Sequence, residues 1–290
     1  MKGKTATVNK VQSPKLKVIR PSGTGFGYCI NCYNGCEHGC LFCYGRKIAH
    51  KDEATWINAQ PRLQIVDLLK KDVKNLKSSN IVIRDMFLCS ICDAYQPIEL
   101  QYGITRRVIE ILIGEGLPFT VLTKNTNVLR DLDLFKGYEK CRVGLTVITL
   151  DDNFRKKLEP NASPIADRCD ALETLKANGV STYCSVEPIM PCKESDPIEI
   201  VKRLRNCVDL FEFGKWSPYI MKGIPVTYNE DYYVGLFGRL IPYCEQEGIK
   251  YCTASHSETF LKSKGFKFIP YQLVSDRPYP NPNDLHAKTR

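Results

Sequence analysis

Short, continuously apolar runs alternate with segments of helical period along most of this chain, and that alternation limits its fold more than any other feature. "GYCIN" (27–31), "IVIRDMFL" (81–88), "FTVLT" (119–123), "RVGLTVIT" (142–149), "VSTYCSVEPIM" (180–190), "DLFEFGKW" (209–216) and "IKYCTAS" (249–255) read as strands. Between them, "RLQIVDLLKKDVKNL" (62–76), "TRRVIEILIGEG" (105–116), "NVLRDLDLF" (127–135), "PIEIVKRLRNC" (197–207) and "DYYVGLFGRLIPYCEQEG" (231–248) carry apolar residues at helical spacing. "SPIADRCDALETLKANG" (163–179) adds a helix with Ser163 expected at its N-cap, Pro164 just inside and Gly179 at its far end. The strands are apolar throughout rather than alternating, as strands covered on both faces must be. Repeated strand–helix units of this kind predict an α/β fold with a parallel sheet and outer helices. No linker or repeat divides the chain, so residues 21–270 read as a single domain. Residues 1–20 form an N-terminal flank, and 271–290 a proline-rich C-terminal tail that is either mobile or laid over the end of a barrel.

No apolar run approaches the ~20 residues needed to cross a bilayer. The basic N-terminus lacks the apolar stretch of a secretory signal. The expected compartment is the cytoplasm, where dense cysteines mean metal or redox chemistry more often than disulfides. There are fourteen cysteines. Cys169, Cys207 and Cys244 sit in apolar helical patterns and read as small core hydrophobes. The formal charge of +9 suits a phosphate-bearing partner or simply a lysine-rich surface. No basic run marks an arm for duplex nucleic acid.

Cys29, Cys32, Cys36, Cys40 and Cys43 fall within fifteen residues, Cys29 in the first strand and the rest in the loop after it. Two readings compete. Four thiolates, Cys29, Cys32, Cys40 and Cys43, with His38 as a possible ligand, would make a structural zinc knuckle. Alternatively Cys36-x3-Cys40-x2-Cys43 would hold three irons of a [4Fe–4S] cluster and leave the fourth open to a small molecule. Gly35 and Gly39 would let the backbone wrap closely, and Phe42 would offer a flat apolar surface for a purine.

The loop "NCYNGCEHGCLFCYGR" (31–46) resembles the cluster loop of radical S-adenosylmethionine enzymes, and more narrowly their spore photoproduct lyase-like branch, matching at Gly35, His38 and Tyr44 as well as at the thiols. The resemblance continues through "CDAYQPIE" (92–99), "TKNTNVLRDLDLF" (123–135), "VGLTVITLDD" (143–152), "LEPNASPIADR" (158–168) and "SVEPIMP" (185–191). It implies a partial (β/α)6 barrel, a cluster on Cys36, Cys40 and Cys43, and S-adenosylmethionine on the open iron. Reductive cleavage of that molecule to a 5′-deoxyadenosyl radical would need a one-electron donor such as flavodoxin or ferredoxin. By the same resemblance Phe42, Tyr44, Asp93, Lys124, Thr146 and Arg168 are candidate cofactor contacts, Lys124 pairing with the methionyl carboxylate and Thr146 lying near the ribose. Asp93 could instead cap the next helix, and Glu187 could pair with Arg168. The hydrogen-donating cysteine of the lesion-repair members aligns with Ser90 here, which argues against photoproduct repair. Cys89 and Cys92 flank it as possible radical quenchers or buried structural thiols.

The last third of the chain is expected to shape the substrate pocket, with Trp216, Tyr219, Tyr232, Tyr233, His256 and Glu258 as candidates. Cys89, Cys92, Glu187 and His256 form the candidate catalytic set. The favoured reaction is bond-cleaving lyase chemistry on a modified nucleoside or nucleotide, such as release of queuine from queuosine or its 5′-phosphate. The alternatives are repair or modification of a base in DNA or tRNA, and a non-catalytic zinc or iron–sulfur nucleic-acid module.

Overall fold

The computed structural model describes residues 16–22, 27–79, 83, 85–217 and 226–267. Its strands are β1 (Arg20–Pro21), β2 (Tyr28–Ile30), β3 (Tyr33–Asn34), β4 (Gln60–Pro61), β5 (Met86–Leu88), β6 (Phe119–Thr123), β7 (Cys141–Thr146), β8 (Thr182–Ile189), β9 (Leu210–Lys215) and β10 (Tyr251–Thr253). Eight of them form one sheet in the order β1-β2-β5-β6-β7-β8-β9-β10, while β3 and β4 pair separately. Strands β2 and β5 to β10 are parallel, and β1 is antiparallel at the edge. Helices cover the outer face, among them Ile65–Lys77, Ile104–Gly114, Ile165–Ala177, Pro197–Leu204 and Glu230–Gln246. No described helix is long and apolar enough to cross a membrane.

The sheet curves into a partial barrel. On its concave face Leu122 packs against both Cys29 with Phe87 and Tyr183 with Leu210 and Cys252. Side chains from opposite ends of the strand order converge on one leucine, which a flat sheet could not arrange. The convex face carries the main core, where Val143, Leu145, Cys184, Val186, Phe211 and Phe213 meet the helices. Parallel strands with this much apolar burial on both faces explain the uninterrupted runs in the sequence. Cys169, Cys207 and Cys244 are buried, as expected.

Two local expectations are corrected. Ser163 does not cap the Ile165–Ala177 helix, whose cap is Pro164. Instead the Ser163 hydroxyl accepts the Thr126 N–H at 3.0 Å, and its own N–H donates to the Lys124 carbonyl at 3.0 Å. Tying the segment to the end of β6 satisfies the serine better than a cap would. Second, Val18 and Ile19, placed in the N-terminal flank from sequence, lie in the core. The Asp72 carboxylate holds them there, accepting the backbone N–H groups of Lys17, Val18 and Ile19 at 2.7–3.0 Å. The tail 271–290 lies outside the described residues.

Candidate active site

The cysteine loop leaves β3 and crosses the carboxyl-terminal mouth of the barrel. Gly35 stands at φ +100°, and a Cβ there would meet the Trp56 carbonyl at 2.5 Å. Only glycine allows the loop to lie this close to the Glu53–Ile57 helix. The Cys36 N–H donates to that Trp56 carbonyl at 2.9 Å. Gln96 accepts the Glu37 N–H at 2.9 Å, and Glu37 accepts the Ile98 N–H at 2.6 Å. On the other side Leu41 N–H donates to the Leu158 carbonyl and Asn161 N–H to the His38 carbonyl. Three separate segments therefore fix the loop.

Cys36 is buried and Cys40 and Cys43 are half-buried. Burial, with Asp93 near Cys36 and Glu159 near Cys40, pushes both of those thiols up from their ordinary range. Buried thiols beside carboxylates ionise only when a strong cation is supplied, and the irons of a cluster are such a cation. The donor set fits a thiolate-bound cluster. Among the described residues no three His, Cys, Asp or Glu side chains are preassembled around one point, at the three loop thiols and at the knuckle set alike. His38, a possible zinc ligand from sequence, is buried with Nδ1 3.4 Å from Asp93 and Nε2 3.4 Å from the Asn125 amide. Cys29 faces the barrel interior on β2, and Cys32 is part of the core.

Asp93 joins the loop to β6. Its carboxylate accepts from Thr123 Oγ1 at 2.6 Å, Lys124 N–H at 2.8 Å and Tyr95 N–H at 2.8 Å. Burial would raise this carboxyl, yet His38 and these donors hold it down to about 2. It caps no helix; its acceptor capacity goes to holding Lys124 in place. The Lys124 Nζ lies 5.3 Å above the Phe42 ring and 3.2 Å from Glu159. Glu159 in turn meets Arg168 at 2.6 Å. The sequence-based pairing of Glu187 with Arg168 is thus not formed. Arg168 is fully buried and also donates to the carbonyls of Ser163 and Thr146. It supports the ends of β6 and β7 from beneath, while Thr146 ends β7 opposite Ser185.

Tyr44 follows the third cysteine, and its hydroxyl donates to the Ser90 carbonyl. Around Ser90 the Asn31 amide gathers the nearby thiols. Its Nδ2 donates to Ser90 Oγ at 3.4 Å and Cys29 Sγ at 3.8 Å, and its Oδ1 accepts from Cys92 Sγ at 3.8 Å. Cys89 is turned away: its sulfur accepts the Cys32 N–H at 3.4 Å inside the core. Of the two thiols beside Ser90, Cys92 is the more accessible.

Glu187 and His256 do meet, with Oε1 3.8 Å from Nδ1. His256 Nε2 donates to the Lys215 carbonyl at 2.9 Å. The remaining aromatic candidates mostly fill the barrel end. Tyr233 is buried and its hydroxyl donates to the Ile189 carbonyl at 2.9 Å while accepting the Trp216 N–H at 3.2 Å. Tyr232 donates to the Cys192 carbonyl, and Glu258 pairs with Lys262 on the surface. Tyr219 lies outside the described residues. The sequence reading missed Glu212, a buried acid in the otherwise apolar "LFEF" of β9. A lone carboxylate in a doubly covered strand was the available signal.

The family model for the radical SAM superfamily matches residues 30–205. An uncharacterized protein of Methanocaldococcus jannaschii is 33% identical over 191 residues, which cover 63% of this chain and 70% of that protein. A Radical SAM Nalpha-GlyT isomerase of Pseudomonas phage M6 is 27% identical over 55% of this chain, spanning 32% of its own length. Among solved structures, a spore photoproduct lyase complexed with dinucleoside spore photoproduct superposes with a TM-score of 0.60 at 15% identity, covering 82% of this chain and 79% of that one. Streptococcus suis SuiB bound to S-adenosylmethionine gives 0.58 at 15% identity, covering 83% and 53%. At such identities these two likenesses concern the fold.

Proposed function

Because the chain belongs to the radical SAM superfamily, whose cofactors are a [4Fe–4S] cluster and S-adenosylmethionine, we propose that it is a lyase for a modified nucleoside or nucleotide, with queuine release from queuosine or its 5′-phosphate as its reaction. The observation that carries this reading is the Cys36–Cys43 loop held across the barrel mouth, facing the wall that bears Glu187 and His256. Bound there, the cofactors would supply radical chemistry able to act on an unactivated C–H bond.

The chain's own residues position and shield. Cys36, Cys40 and Cys43 hold the cluster. Asp93 is a positioning residue, fixing Lys124 so that its ammonium can pair with the methionyl carboxylate. Phe42 lies under that lysine and closes the site against water. Thr146, at the end of β7, would contact the ribose, and Arg168 braces it through the Thr146 carbonyl. Tyr44 marks the side of the mouth nearest Ser90 and Cys92, where a substrate radical would find a hydrogen donor. A nucleotide substrate is supported by the dinucleoside photoproduct carried by the structural neighbour and by the positive charge of this chain. An external one-electron donor such as flavodoxin or ferredoxin would supply the electron for the reductive cleavage that starts the reaction.

The test is anaerobic reconstitution, an iron and sulfide count, and assay of 5′-deoxyadenosine with dithionite, with and without queuosine 5′-phosphate. Nucleotide-dependent 5′-deoxyadenosine with free queuine in the product mixture is the expected result. Slow 5′-deoxyadenosine formation that the nucleotide does not stimulate would remove the substrate and keep the radical chemistry.

A further inference from the structure

The concave wall of the barrel carries two acids that the steps above leave without a task. Glu212 on β9 lies directly across from Ser185 on β8, and Glu187 is two residues further along β8 on the same face. The Glu187 side chain folds over the bare backbone of Gly214. A Cβ at that glycine would meet Glu187 Cγ and Cδ at 2.4 Å and Oε1 at 2.8 Å. Any larger residue would push the carboxylate off β9, so the glycine lets Glu187 lie on the same strand that bears Glu212.

Glu212 is 8% exposed, whereas the Glu187 side chain is 33% exposed at the mouth. Burial raises both carboxyls above their ordinary range; repulsion by Glu187 adds to the rise at Glu212, and Lys124 opposes it at Glu187. Lys124 is itself engaged by Glu159 at 3.2 Å, and His256 Nδ1 stays 3.8 Å from Glu187. Two acids brought together inside a barrel stay ionised together only beside a positive group, and otherwise take up a proton.

A second observation points the same way. Tyr183 precedes Ser185 by two residues on the same face of β8, is fully buried, and its hydroxyl has no hydrogen-bond partner. Burial first, then Glu212, Cys252 and Glu187, push this phenol up, and the Arg142 guanidinium opposes them. Buried phenols normally find partners. An orphaned phenol near two carboxylates retains hydrogen-bonding capacity that a ligand group can satisfy. A metal ion is the wrong occupant, because among the described residues no third ligating side chain converges with the two acids.

We propose that Glu187 and Glu212, with Tyr183, form a subsite for a protonated amine of the substrate. The inference rests on the nucleoside reading for the rest of the ligand, but the amine subsite stands on the barrel wall alone. It selects, among nucleosides of one shape, those that carry an ammonium group, and it orients the base relative to the cysteine loop.

The experiment is calorimetric titration of the anaerobic holoenzyme, with S-adenosylmethionine present, using two matched pairs of probes. The first pair is 7-aminomethyl-7-deazaguanosine against 7-cyano-7-deazaguanosine; the second is benzylamine against benzyl alcohol. The amine of a pair is expected to bind about tenfold or more tighter than its neutral partner, as a charge-assisted hydrogen bond provides. Glu212→Gln should abolish that preference without changing the affinity for the neutral partner. Glu187→Gln should do the same, and carries the test if the first variant fails to fold or to bind iron. An amine preference seen only in the benzyl pair, and lost in these variants, would retain the subsite and reject the nucleoside. Nucleosides that bind with no amine preference in either pair would retain the nucleoside and reject the subsite. Absence of any amine preference, or a preference that survives both variants, overturns the inference.

Discussion

Lys124 shows how much of a residue's role depends on its neighbours. Its backbone N–H is held by Asp93 and its ammonium lies between the Phe42 ring and Glu159. Lys124→Met should weaken S-adenosylmethionine binding by about 10- to 100-fold, the worth of a hydrogen bond to a charged group, while iron content stays unchanged. Equilibrium dialysis with labelled S-adenosylmethionine reads this directly; unchanged affinity would show that another group holds the carboxylate. The acids of the barrel wall make a pH prediction. Both Glu187 and Glu212 are raised by burial, so they take up protons well before ordinary carboxylates do as pH falls. The groups around them are Lys124, Tyr44, Tyr183, Cys252 and His256, with Arg142 beside Tyr183 and Cys252, and burial lowers His256, which keeps it neutral through this range. Affinity for an amine probe should therefore decline from mildly alkaline pH toward acid, by up to about tenfold per pH unit for each proton taken up. A flat profile down to the ordinary carboxylate range would contradict the raised acids. The sequence made Lys124 and Glu187 candidates because each stands at a strand end; Glu212 showed only as a lone acid in an apolar strand, and nothing local says which face of β9 looks into the barrel.

Elements here are joined by a few side chains that reach across the chain. Asp72, on the Ile65–Lys77 helix, accepts N–H groups from residues 17 to 19. Asp72→Ala would leave these donors stranded, at about 1–3 kcal/mol for each buried group left unsatisfied. A loss of about 3 kcal/mol or more in chemical denaturation is expected, and a loss near zero would mean that the N-terminal segment contributes nothing to folding. Gly35→Ala tests the loop. Its Cβ would collide with the Trp56 carbonyl at a backbone angle that L-residues rarely adopt. Iron incorporation should fall sharply while the far-ultraviolet circular dichroism of the barrel is kept. The helices and strands themselves were legible, since long apolar runs and helical periods are local properties. Their ties were not. The Ser163 cap failed for that reason: Thr126 and Lys124 lie far from it in sequence and compete successfully for its polar groups.

Across the whole molecule, the cysteine loop is a clasp between the Glu53–Ile57 helix, residues 96–98 and residues 158–161. A cluster bound on its thiols stabilises every segment the loop touches, because binding free energy to the native state adds to folding stability. Removing iron with chelator and oxidant should lower the melting midpoint and open new tryptic sites at Arg46 and Lys47, which follow the loop directly. Identical melting and digestion with and without the cluster would show that the barrel holds the loop unaided. By itself the sequence determined the α/β class, the parallel order implied by strand–helix alternation, and the three thiols at cluster spacing, since periodicity and short-range spacing survive in one dimension. The tertiary structure decided the rest. It turned Cys29 into the barrel interior and Cys32 into the core, moved Arg168 from Glu187 to Glu159, and sent Tyr233 and Trp216 into the barrel end. It also brought Glu187, Glu212 and Tyr183 onto one wall, because register between neighbouring strands and the inward curve of the sheet determine which distant side chains share a cavity.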